Sequence, residues 1–93
     1  MFQGKTALVT GSTSGIGLGI ATAFAAQGAN IILNGFGDPA DIDKLAAKLA
    51  SDHRVNVYYD GADLSQRDAI EAMMGRALDH FGAIPIDGGW AAQ

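Results

Sequence analysis

Along this chain the apolar positions follow two rhythms. Residues 5–10, 30–34, 55–59 and 84–86 are short, largely apolar runs without strict alternation. Runs of that kind predict strands covered on both faces, as in a parallel sheet. Between them the apolar spacing opens to three and four residues. Ile16, Ile20, Ala23, Phe24 and Gln27 trace one helical face, and Ile42, Leu45, Ala46 and Leu49 a second. A third stripe runs through Ile70, Met73, Met74, Ala77, Leu78 and Phe81. The predicted order is therefore β-α-β-α-β-α-β, an α/β chain of parallel βαβ units joined by right-handed crossovers.

The residues at the joints agree with this division. Gly28 suits the position just after the first helix, and Gly82 the position after the third. Asp38 can cap the second helix, Pro39 fits its first turn, and Asp41 favours the positive end of its dipole. Ser65 followed by Asp68 predicts the third helix start, close to a capping box.

Composition narrows the choice of function. Ninety-three residues suit one domain, and 48% apolar residues supply a core. Ten acidic against six basic residues give a net charge of −4 with no basic cluster, which argues against a nucleic-acid partner. No apolar run approaches the ~20 residues of a membrane span. The first strand begins at Lys5, which leaves no room for a secretory leader. A cytoplasmic chain without membrane or metal is the expectation. Cysteine is absent, so thiolate chemistry is excluded.

Glycine is in surplus, at 13 residues, and it is concentrated. Thr10-Gly11-Ser12-Thr13-Ser14-Gly15-Ile16-Gly17 joins the first strand to the first helix. Gly11 permits a sharp turn, Gly15 lets backbone approach a pyrophosphate, and Gly17 allows close helix–sheet packing. The first N–H groups of the helix then face the phosphates, aided by the dipole. The alternative is a tight turn that needs glycine without any ligand.

With its Thr-Gly-x-x-x-Gly-x-Gly spacing, this segment resembles the short-chain dehydrogenase/reductase family. Ala62-Asp63-Leu64 resembles the family's adenine-contacting step, Phe81-Gly82 its helix ending, and Pro85-Ile86-Asp87-Gly88-Gly89-Trp90 a segment near its C-terminus. The stretch Leu33-Asn34-Gly35-Phe36-Gly37-Asp38, with the Gly-Gly-Trp tail, is most similar to the branch that interconverts 3-hydroxybutyrate and acetoacetate with NAD.

The resemblance implies a Rossmann-like NAD-binding domain over residues 1–93. It assigns the cofactor to Gly11, Thr13, Ser14, Gly15, Ile16, Gly17, Phe36, Asp63 and Leu64. Phe36 would wall the adenine, or else pack in the core; Asp63 would contact the adenine, or else serve as a helix-start acid. Asn34 stands where an acidic residue would select NAD and a basic one NADP. It is neither, and Ser14 adds no positive charge, so NAD is favoured.

The family's proton transfer relies on Tyr-x-x-x-Lys with a Ser and an Asn. Tyr58 is followed four residues on by Ala62 and Tyr59 by Asp63, so no catalytic residue is assigned. Capping explains Ser65 better than catalysis does. The chain follows the family pattern to about residue 84, then continues with its last strand. It therefore reads as a dehydrogenase lacking its middle, inactive alone. A right-handed crossover would set residues 84–86 beside the first strand, giving a sheet order of 3-2-1-4. Pro85 is tolerable on such an edge, whose outer backbone invites a second copy or a complementing chain. His53, His80, Arg76 and Asp79 read as surface residues.

Overall fold

A computed structural model describes residues 2–87. Strands β1 (Thr6–Thr10), β2 (Asn30–Leu33), β3 (Val57–Tyr59) and β4 (Ile84–Asp87) alternate with helices α1 (Gly15–Ala26), α2 (Pro39–His53) and α3 (Arg67–Phe81). All strand pairs are parallel, and the order is β3-β2-β1-β4, as expected. β1 lies inside the sheet, with Leu8 opposite Ile32 on one side and Pro85 on the other.

Period-two alternation divides the core between two faces. Ala7, Val9, Ile31 and Leu33 pack with Ala21 and Ala25 of α1 and Leu49 of α2. Leu8 and Ile32 pack on the opposite face against Met73 and Ala77 of α3, with Ala83. Two helices cover the first face, whereas α3 is the only described helix over the second.

Three expectations change. The buried stripe of α1 is Gly17, Ala21 and Ala25, with Ile16, Ala23 and Gln27 exposed. Small residues carry little hydrophobic signal, yet they bring the helix close to the sheet. The third stripe is buried only along Met73 and Ala77; Leu78 is exposed, and Phe81 lies against the Tyr58 ring at 4.6 Å. The residue capping α3 is Gln66, not Ser65, and it makes no side-chain capping bond. Arg76 is exposed, as expected, and grips Asp60 with both Nε and an Nη at 2.9 and 3.0 Å. The tail from residue 88 onward lies outside the described residues.

Candidate functional site

The site forms where β1, β2 and β3 end. The chain leaves Thr10 through Gly11, at φ 59°. Ser12 is fully buried; its backbone N–H donates to the Asn34 carbonyl at 2.6 Å and its hydroxyl to the Val9 carbonyl at 2.6 Å. Gly15 has φ 60°, and a Cβ there would meet nothing within 4 Å, so its outer side is open. Gly17 is the reverse case: its Cβ would lie 2.0 Å from the Gly11 carbonyl oxygen. Its glycine is required because the first turn of the helix rests on the loop backbone.

Helix α1 begins without a cap of its own. Ser14 is extended and makes no side-chain capping bond, and the first turn contains no acid. A helix start exposes N–H groups that lack intrahelical acceptors, together with the positive end of the dipole. Here neither the cap residue nor the first turn provides an anion to meet them.

Asn34 follows the end of β2 and lines the site, as the sequence suggests. It is 1% exposed, and its amide group is fully engaged. Nδ2 donates to the carbonyls of Asp60 and Ala62, both at 3.0 Å, and Oδ1 accepts from the Gly11 N–H at 3.4 Å. Its backbone N–H donates to the Ser12 hydroxyl at 3.0 Å. From there it fastens the three strand-end loops together.

The opposite wall is residues 62–65. Asp63 Oδ1 accepts from the Ser65 hydroxyl at 2.7 Å and the Ser65 N–H at 2.9 Å. Those two bonds, the hydroxyl first, hold the Asp63 carboxyl below its usual 3.8. It is thus an ionised acceptor at neutral pH, and it loses that role only as acid takes the pH below the ordinary carboxylate range. Ser65 anchors this turn, a role that sequence spacing attributed to capping.

These walls enclose a cleft of about 390 Å³. Gly11, Thr13, Ser14, Phe36, Asp63 and Leu64 line it, six of the nine residues expected at a site. Ile16 is half exposed on α1 and does not line it, nor does Gly15; Gly17 is buried against the loop. Gly35, Ala62 and Ser65 line it without having been singled out. The glycines on either side of Phe36 were the available signal for Gly35. Phe36 is 75% exposed, so packing in the core does not explain it.

An exposed ring and an ionised acceptor on one cleft, beside an uncapped helix start that opens at Gly15, fit a dinucleotide better than any neutral apolar ligand. The sequence profile described as short chain dehydrogenase matches residues 5–86, and the chain belongs to that family. It is 59% identical over 86 residues to the D-beta-hydroxybutyrate dehydrogenase of Cupriavidus necator, covering 92% of this chain and 33% of that protein. The enzyme of the same name from Rhizobium meliloti is 45% identical over 82 residues, which are 88% of this chain and 32% of that one. The chain spans about a third of the length of the curated relatives it matches.

Among solved structures, a metagenomic short-chain oxidoreductase in complex with NADP superposes with a TM-score of 0.79 at 27% identity, over 92% of this chain and 38% of that one. L-sorbose reductase from Gluconobacter frateurii, complexed with NADPH and L-sorbose, gives 0.76 at 33% identity over 87% and 30%. The fold and family support a nicotinamide cofactor. No described helix is long and apolar enough to cross a membrane.

Proposed function

We propose that this chain is the NAD-binding part of a short-chain dehydrogenase acting on 3-hydroxybutyrate, and that it does not turn over alone. The observation that carries the reading is the cleft itself, where six expected residues meet beside the uncapped start of α1. The α1 N–H groups and the bare Gly15 backbone would hold the pyrophosphate. Phe36 would wall the adenine, and the Asp63 carboxylate would accept from its amino group. When bound, the nicotinamide would supply a hydride acceptor. This chain's residues bind and orient; none is assigned a proton transfer, because neither tyrosine is followed by the paired lysine.

NAD is preferred over NADP on the charge around the site, to which the uncharged Asn34 adds no cation. The hollow adjoining Thr13 and Phe36 is bordered by the carboxylates of Asp38 and Asp41. No Lys or Arg is among the residues lining that hollow or the cleft. An added 2′-phosphate would meet negative charge with no cation to offset it. Calorimetry on the folded chain should give binding of NAD and AMP, with NADP at least tenfold weaker. A folded chain that ignores NAD and AMP sinks the reading, and tighter NADP binding sinks the preference.

A second reading, assembly through an open sheet edge, is favoured by β4. It is the terminal strand of the sheet, and the nearby face of α3 exposes Leu78. We read residues 84–93 as the family's final segment, of which the described part, Ile84–Asp87, occupies the fourth sheet position. Sedimentation that finds only monomer at high concentration counts against assembly.

A further inference from the structure

Phe36 is a large apolar side chain held in water between two glycines, Gly35 at φ 153° and Gly37 at φ 157°. Glycine on both sides gives a loop more backbone freedom than any other pair of neighbours. Two side-chain hydroxyls restrain it. From the glycine turn, the Thr13 hydroxyl donates to the Phe36 carbonyl at 2.8 Å. From β3, the Tyr59 hydroxyl donates to the Gly35 carbonyl. Consecutive carbonyls are thus gripped from two different elements, 23 and 24 residues away in sequence.

The surroundings are shaped to this arrangement. A Cβ on Gly35 would lie 2.5 Å from Thr13 Oγ1, where it would displace the donor. A Cβ on Gly61 would lie 3.2 Å from both Cε2 and the hydroxyl of Tyr59, so the bare Gly61 leaves room for that side chain. Asn34, immediately before, is fixed by its own bonds. Phe36 is exposed at the cleft wall while its backbone is tied down.

We propose that Thr13 and Tyr59 are positioning residues that clamp the 35–36 backbone and hold the Phe36 ring as a preset platform for a purine base. This rests on the nucleotide reading and deepens it, by giving Tyr59 work that no motif assigned. A backbone already fixed at the root of the ring loses little further freedom on stacking, so the clamp contributes affinity through preorganisation.

Tyr59→Phe keeps the ring and removes only the donor. In the free chain, amide hydrogen exchange at Phe36 and Gly37 should quicken about fivefold, the scale of one lost hydrogen bond. AMP should bind about fivefold more weakly, whereas inorganic pyrophosphate, which offers no base, should bind as before. Phe36→Ala should match the AMP loss without altering pyrophosphate. A merely structural role for Tyr59 would move both probes together, or neither. Unchanged exchange in Tyr59→Phe overturns the clamp. Faster exchange with unchanged AMP affinity overturns the platform. A wild-type chain that binds neither AMP nor NAD overturns the nucleotide reading and the platform with it, while the exchange rates still decide the clamp.

Discussion

Helices α1 and α2 pack on the same face of the sheet, yet their first turns are built differently. At α2, Asp38 accepts from the Ala40 N–H at 2.8 Å, Pro39 occupies the first turn, and Asp41 adds a second carboxylate. The chain satisfies that helix start itself. At α1, Ser14 makes no side-chain capping bond, the first turn carries no acid, and glycine stands at positions 11, 15 and 17. α3 also lacks a side-chain cap but keeps Asp68 in its first turn, so α1 alone among the described helices has neither. Under the proposed function, the donors left bare at α1 are the ones that would meet the pyrophosphate. On that proposal the difference separates a helix start that serves stability from one that would serve binding.

The sharpest way to break the comparison is at Gly17. Its Cβ would stand 2.0 Å from the Gly11 oxygen and 2.7 Å from the Gly11 carbonyl carbon, both of them backbone. Gly17→Ala should therefore force the α1 start away from the turn, at a loss of about 3 kcal/mol by overpacking. Urea unfolding measures it. Gly15→Ala makes the control: its space is open and only its φ of 60° resists, so about 1 kcal/mol is expected. Equal losses would mean that helix contact with the turn is not what demands glycine at 17.

The same contrast explains what the sequence could and could not reveal. Strand order was legible, because unbroken apolar runs alternating with helical stripes leave few parallel arrangements. The α2 start was legible too, since every part of it lies within four residues. The bonds of Asn34 are not legible, because its partners Gly11, Asp60 and Ala62 lie 23 to 28 residues away and nothing local announces them. Val55 was counted as strand, but α2 ends with Arg54 in the left-handed conformation and the Val55 N–H turns back to the Ala50 carbonyl. The cleft is legible in part, through Gly11, Thr13, Ser14, Phe36, Asp63 and Leu64. Its far wall depended on the Ser65 turn, and a serine before a helix resembles a cap until its hydroxyl is seen to serve Asp63.

Asp38→Ala tests the other side of the comparison. The capping bond to Ala40 would be lost, at about 1 kcal/mol of stability. Calorimetric melting should show a lower Tm, and AMP affinity should hardly change, because this helix start serves the chain. A large loss of AMP affinity together with an unchanged Tm would reverse the assignment of the two helix starts.

Ser14→Asp carries the smallest expected stability effect and the most informative sign. Serine there makes no capping bond, so nothing is removed. An aspartate at the same extended position can accept from the first-turn N–H groups and complement the dipole, which should raise stability by about 0.5 kcal/mol. The same carboxylate would occupy the donors a pyrophosphate needs and repel its charge, so NAD and pyrophosphate should bind at least tenfold more weakly. Melting curves and calorimetry on one variant read both quantities. A gain in stability with a loss of binding is what a helix start held open for a ligand must give. If Ser14→Asp leaves pyrophosphate affinity intact, the bare start of α1 is not where the phosphates sit, and the contrast with α2 is one of stability alone.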